Sequence, residues 1–290
     1  MLRIPATIFA GLLGLAFGSF LNVCVSRWPR GESVVHPRSH CRACGRSLAW
    51  WENVPLLSWI ALRGRCRSCG SRIGVRYALV EATVGLLWST LVWYSNEDVF
   101  AADVPARLRA LNIAATACGL GLFWLLVALA ALDAENLWLP DFLTYPGIAV
   151  GILLKPVFEQ FGYHSDTAPR PLHALLSSAG SAAAAGAIIL FIRWIYRAVR
   201  GREGLGLGDA KLMALLGAWL GLQLAVLSLF LGVVLGAAAA VFVLATRSRR
   251  TDSPSALVKL PLGTFLCIGG MVSALWGKQI LSAYLHWAGL

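Results

Sequence analysis

The sequence predicts an all-α polytopic membrane protein of about eight transmembrane helices, with a small cytoplasmic loop domain built on a zinc-ribbon-like cysteine pattern. Three observations carry that prediction. The 290 residues are 58% hydrophobic and only 13% charged, against about a quarter charged in an ordinary soluble domain. Several apolar runs reach the roughly 20 residues that a helix needs to cross a bilayer. The basic residues collect in alternate loops, as they do on the cytoplasmic side of membrane proteins.

The candidate spans, in order, are residues 4–25, 77–94, 111–132, 142–161, 173–195, 211–222, 224–245 and 261–285. The first is longer than the core of a signal peptide and is followed by a basic loop, so it reads as a retained helix with its N-terminus outside. The sixth is short for a full crossing. It forms one apolar stretch with the seventh, and a break is expected near Gly221-Leu222-Gln223. Residues 177–187 are rich in Ala, Gly and Ser, which in a span marks close helix packing.

The loops set the orientation. Residues 27–76 hold ten Arg against Glu32 and Glu52, a net charge of +8 out of +11 for the chain. Residues 95–110 carry Glu97, Asp98 and Asp103 against Arg107 and Arg109, and residues 162–172 balance Asp166 with Arg170. Residues 196–209 carry Arg197, Arg200 and Arg202 against Glu203 and Asp209, and residues 246–260 carry Arg247, Arg249, Arg250 and Lys259 against Asp252. This alternation places both termini outside. The 27–76 loop and the segments around Asp133 and Asp209 then face the cytoplasm. Because the basic residues lie between spans, the charge speaks for topology and against nucleic-acid binding.

The seven cysteines divide in two groups. Cys24, Cys118 and Cys267 lie within spans and read as small buried side chains. The other four form Cys41-Arg-Ala-Cys44 and Cys66-Arg-Ser-Cys69, each pair followed by a glycine (Gly45, Gly70). Two such pairs complete a tetrahedral site of four thiolates, which leaves no open position for catalysis and so implies structural Zn2+. A disulfide pair is the competing reading, and a reducing cytoplasm argues against it.

Two acids stand at helix ends. Asp133 closes the third span, followed by Glu135 and Asp141, and Asp209 opens the sixth in Gly204-Leu-Gly206-Leu-Gly208-Asp209-Ala-Lys211. Taken singly, each has an ordinary explanation: a carboxylate suits a helix N-terminus, and Glu135 and Asp141 read as interfacial charges. As a pair on one membrane face they suit aspartic-protease chemistry, in which two carboxylates share a proton and activate water. A phosphate loop is disfavoured, because no strand–turn–helix context or following Gly-Lys-Ser/Thr surrounds these glycines.

The chain resembles the type IV prepilin peptidases, a branch of the GxGD intramembrane aspartic proteases. The shared motifs are Gly18-Ser-Phe-Leu-Asn22-Val, both cysteine pairs, Trp51-Glu52-Asn53-Val-Pro55-Leu-Leu-Ser58, Arg76-Tyr77-Ala-Leu-Val-Glu81, Asp133-Ala-Glu135, Leu139-Pro140-Asp141, Gly206-Leu-Gly208-Asp209-Ala-Lys211 and Pro261-Leu-Gly263. The stretch from Arg27 to Cys41 is shorter than in some members, and Glu135 stands where Asp is frequent. The resemblance implies that Asp133 and Asp209 are the catalytic pair. It implies that the substrates are prepilins and the pseudopilins of type II secretion, cut after a Gly at the cytoplasmic face of a bacterial inner membrane. Members with the cysteine loop also methylate the new N-terminus with S-adenosylmethionine. That divides the chain into a first helix (1–26), a four-cysteine methyltransferase loop (27–76) and a membrane peptidase domain (77–290).

Glu52, Asn53, Gly64 and Glu81 are the candidates for binding the methyl donor. Glu52 and Glu81 also read as loop charges paired with arginines, and the arginines themselves as contacts for lipid headgroups or the substrate leader. Two other functional classes stand beside this one: a peptidase without methylation, and a transporter or scaffold whose intramembrane acids serve an ion path.

Overall fold

The computed structural model describes residues 3–99, 105–161, 171–201, 206–247 and 260–289. The charged positions Asp103, Asp166, Arg170, Arg202, Glu203, Arg249, Arg250, Asp252 and Lys259, and Gly204 of the glycine motif, lie outside them. The helices are α1 (Arg3–Arg27), α2 (Leu57–Ala61), α3 (Val75–Val99), α4 (Ala106–Asn136), α5 (Asp141–Phe161), α6 (Pro171–Arg200), α7 (Leu207–Leu220), α8 (Leu222–Arg247) and α9 (Leu262–Ala288). No strand occurs among the described residues, only two isolated bridges, His40 with Ser47 and Arg65 with Arg72. Apart from the single-turn-scale α2, the order of helices is the order of apolar runs.

Six of these helices (α1, α3, α4, α6, α8 and α9) are long and apolar enough to cross a membrane. The 14-residue α7 is about 21 Å long at 1.5 Å per residue. The expected break falls at Gly221, whose φ of +83° and ψ of 166° form a conformation essentially reserved for glycine. Large apolar side chains face outward on the helices: Phe9 on α1 is 66% exposed and Phe242 on α8 is 70% exposed. Such stripes would be a liability in water and are the surface that lipid covers.

The contacts resolve two compact units, residues 1–131 and 132–290. In the first, α1 and α3 pack antiparallel through small residues. A Cβ added at Gly18 would lie 2.7 Å from Glu81 Cα, and one at Gly14 would lie 2.9 Å from Gly85 Cα. This is the close approach that small residues permit between membrane helices. Between the two helices lies the cysteine loop. In the second unit, the small-residue stretch of α6 lies against α7, as its composition predicts. Ser178 Oγ donates to Ala218 O at 2.9 Å, and a Cβ at Gly217 would meet Ala185 Cβ at 2.8 Å. Cys24 and Cys267 are buried as expected, whereas Cys118 is only half-buried.

Candidate active site and cysteine cluster

Asp133 lies in the last turn of α4 and is 5% exposed. The helix stops just after it. Leu137 N–H donates to Asp133 O at 2.9 Å, and Leu137 takes a left-handed φ of +50°, a stop usually given to glycine. The Asp133 carboxylate then meets the start of α9. Its Oδ2 accepts from Thr264 N at 2.7 Å and lies 3.2 Å from Thr264 Oγ1. The first backbone N–H groups of a helix lack intrahelical partners and carry the positive end of its dipole. Asp133 therefore satisfies α9 as a cap would, from another helix.

Asp209 is half-buried at the third position of α7. Its Oδ2 accepts from Gly206 N at 3.2 Å, one half of a capping box. Gly206 has no side chain to return the second bond. The two aspartates belong to one site. Between them stands Leu139: Cβ atoms added at Gly208 and Gly263 would each lie 3.1 Å from the same Leu139 methyl, Cδ1. The Gly263 Cβ would also lie 2.9 Å from Asp133 Oδ2. Glycines thus occur where a side chain would fill the space around the acids. At the rim, Lys211 pairs with Asp141, and its ammonium lies 5.1 Å from the Tyr145 ring centroid. Asp141 is therefore a paired charge. Glu135 is exposed.

In the first unit, the sulfurs of Cys41, Cys44, Cys66 and Cys69 all lie within 4.8 Å of one another. The Cys41–Cys69 separation is 3.8 Å, close to the edge of a tetrahedron with metal–sulfur bonds of about 2.3 Å. Both pairs fold the same way. Gly45 N donates to Cys41 O at 2.8 Å and Gly70 N to Cys66 O at 2.9 Å, with φ of +70° and +69° at the glycines. Ser71 Oγ lies 3.5 Å from Cys41 Sγ and 3.2 Å from Cys69 Sγ. Its hydroxyl is the leading cause that draws the Cys41 thiol down to about 6.

Between this cluster and the α1–α3 pair lies a cavity of about 500 Å3, within the range of cofactor sites. Glu52, Asn53 and Glu81 line it, with Asn22, Trp59 and Arg67. Glu52 accepts from Ala49 N at 2.9 Å and pairs with Arg46; these two contacts, in that order, hold its carboxyl below the usual range. Glu81 Oε2 accepts from Leu56 N at 2.8 Å, at a residue with φ of +58°. Gly64 is off the cavity wall. Its φ is +63°, and an added Cβ would touch the Trp59 ring at 3.0 Å.

Residues 12–95 match the bacterial peptidase A24 N-terminal domain, and residues 120–241 match the type IV leader peptidase family. A prepilin leader peptidase/N-methyltransferase of Pseudomonas aeruginosa is 34% identical over 96% of this chain and 93% of its own length. The chain belongs to the type IV leader peptidase family. Relatives with the same description in Pseudomonas putida (35% identical, 97% of this chain, 94% of theirs) and Burkholderia pseudomallei strain 1026b (35%, 93% and 85%) extend the match. No solved structure matches.

For this member of the leader peptidase family, sequence reasoning paired the two aspartates and grouped the four cysteines; the four sulfurs cluster, and the helix ends that carry Asp133 and Asp209 meet around Leu139. It missed Thr264. The only signal was the Pro261-Leu-Gly263 motif, which marks the start of α9 without naming its partner. Arg46 was one of ten indistinguishable arginines, and its pairing with Glu52 follows from the knuckle turn alone.

Proposed function

We propose that this chain is a membrane-embedded aspartic endopeptidase of a bacterial inner membrane that removes the leaders of prepilins and type II secretion pseudopilins, and that it N-methylates the new terminus. The observation that carries the peptidase reading is the convergence of Asp133 and Asp209 at the ends of α4 and α7, around Leu139 and the start of α9. The dyad holds one proton between its carboxylates. The ionised member takes a proton from water, which attacks the scissile carbonyl, while the protonated member donates to the carbonyl oxygen. Thr264 fixes the Asp133 rotamer, and Gly208 and Gly263 leave room for an extended backbone. The excess of basic residues in alternate loops supports a cytoplasmic position for this chemistry.

The four thiolates would hold Zn2+ as a structural ion, closing a loop too small for a core of its own. Two lines support the methyl-transfer reading: the relatives' shared description, and a cavity of about 500 Å3 carrying acidic, amide, aromatic and basic side chains. S-adenosylmethionine would supply an electrophilic methyl group there. Glu52, Asn53 and Glu81 would hold it, and Gly64 would act through the Trp59 wall. The 27–76 loop is then the methyltransferase part and residues 77–290 the peptidase part.

The test is leader cleavage by purified protein in lipid, beside Asp133→Asn and Asp209→Asn. Cleavage by wild type alone, with all three folded, is the expected result. Cleavage by either variant removes the dyad.

A further inference from the structure

Asn22 stands on the wall of the first unit's cavity and is 2% exposed. Its Nδ2 donates to Tyr77 O at 2.9 Å. Its Oδ1 has no hydrogen-bond partner. The bond to a carbonyl settles the amide's orientation, because only the nitrogen can donate. The unused atom is therefore an acceptor, buried and beside a cavity, where lack of a partner costs free energy.

The position is built by the helix pair. Gly18, one turn before Asn22, lets α3 approach until an added Cβ would lie 2.7 Å from Glu81 Cα. Residues four apart share a helix face, so the contact of Gly18 with Glu81 sets Asn22 beside Tyr77. Asn22 and Glu81 consequently line the same cavity, both buried. Arg27, on the same wall, differs in this respect: it already donates to Ser33 O and Pro37 O, each at 2.7 Å. A free amide oxygen near a buried carboxylate selects a ligand that brings N–H donors and positive charge.

We propose that Asn22 Oδ1 is a ligand-binding acceptor for an amino group, with Glu81 as the neighbouring carboxylate. The inference rests on reading this cavity as the methyl-transfer site. Two sources share the required chemistry: the free N-terminal amine of a cleaved pilin, and the amino groups of S-adenosylmethionine.

The test is calorimetric binding to the full-length protein in lipid nanodiscs, with metal content and ligand-free melting temperature confirming each variant's fold. The probes are S-adenosylmethionine and a pilin-derived peptide with a free or an acetylated N-terminus. The variants are Asn22→Leu, which removes the acceptor, and Asn22→Asp, which keeps an acceptor but loses the donor to Tyr77. Asn22→Leu is expected to weaken one probe by about 10- to 100-fold, the range for a hydrogen bond to a charged group, and Asn22→Asp to retain it within about threefold. Loss confined to the free-amine peptide assigns the amine to the pilin; loss confined to S-adenosylmethionine assigns it to the methyl donor. Wild-type binding of both probes by Asn22→Leu overturns the inference. Equal weakening by both variants also overturns it, because the Tyr77 bond would then be what matters. If wild type binds neither probe, the methyl-transfer reading of the cavity fails and this inference fails with it.

Discussion

Replacing Gly263 by Ala should damage cleavage while leaving the fold intact. The added Cβ would lie 2.9 Å from Asp133 Oδ2, 3.0 Å from Asp133 Cγ and 3.1 Å from Leu139 Cδ1. Contacts this short force a shift of a few tenths of an ångström, and the carboxylate is the atom group in the way. The same oxygen holds the 2.7 Å bond from Thr264 N, so relief of the clash comes at that bond's expense. A hydrogen bond to a charged group contributes about 1.5–3 kcal/mol, which is roughly 10- to 150-fold in rate at 1.36 kcal/mol per decade. Misplacement of a catalytic group by 1 Å costs about 100-fold, so both routes give the same order. In the first turn of α9, Ala also gains up to about 1 kcal/mol of helix propensity over Gly, which offsets part of the strain. We predict a fall in kcat of about 10- to 100-fold, with little change in KM or melting temperature. The assay is leader cleavage by purified protein in lipid. Gly180→Ala on α6 is the comparator, because an added Cβ there meets nothing within 4 Å. A Gly263→Ala enzyme that cleaves at the wild-type rate would refute the placement of α9 against Asp133.

Cys41→Ser or Cys66→Ser should release the metal and expose the 27–76 loop to limited proteolysis, while leader cleavage falls less than about tenfold; metal analysis and proteolysis read this directly. A variant that loses its metal but keeps an equally protected loop would contradict the structural role. Arg46→Met removes the charged partner of a buried Glu52 while leaving the Ala49 N–H in place. Methylation should drop more than cleavage, as measured on the same substrate. Gly221→Val should lower stability by about 1–3 kcal/mol, the cost of forcing a β-branched residue into a glycine-only conformation, seen as a lower melting temperature.

The helices were legible because each apolar run is bounded by charge or by proline and glycine. Even the α7–α8 division could be located, since Gly221-Leu222-Gln223 interrupts the apolar stretch with a glycine and a polar side chain. Helix ends were less legible. α4 begins at Ala106, ahead of the apolar run, because Arg107 and Arg109 continue a helix that hydropathy alone cuts short. The cysteine knuckles were legible from spacing, which is a local property. Asp133 and Asp209 could be paired through topology, but their supports could not. Thr264 lies 131 residues beyond Asp133, and nothing local to either residue specifies that bond. Leu139 likewise looks like any apolar residue before a proline until three helix ends close around it. Asn22 carried no visible demand in the sequence. Its unfilled acceptor emerges only when Tyr77 takes the other half of the amide.

The shortness of α7 has a consequence for water. A helix of about 21 Å cannot cross a hydrocarbon layer of about 30 Å. Ala210, Leu212, Met213, Leu215, Leu216, Gly217 and Ala218 are buried against neighbouring helices, so what surrounds α7 is largely protein rather than lipid. The depth it leaves uncrossed, about 9 Å by those two lengths, is interior space of the bundle that water can occupy. Helix N-termini carry N–H groups that need water or a partner, and Asp209 stands at that end. A peptide bond drawn there meets water without the bilayer itself having to thin.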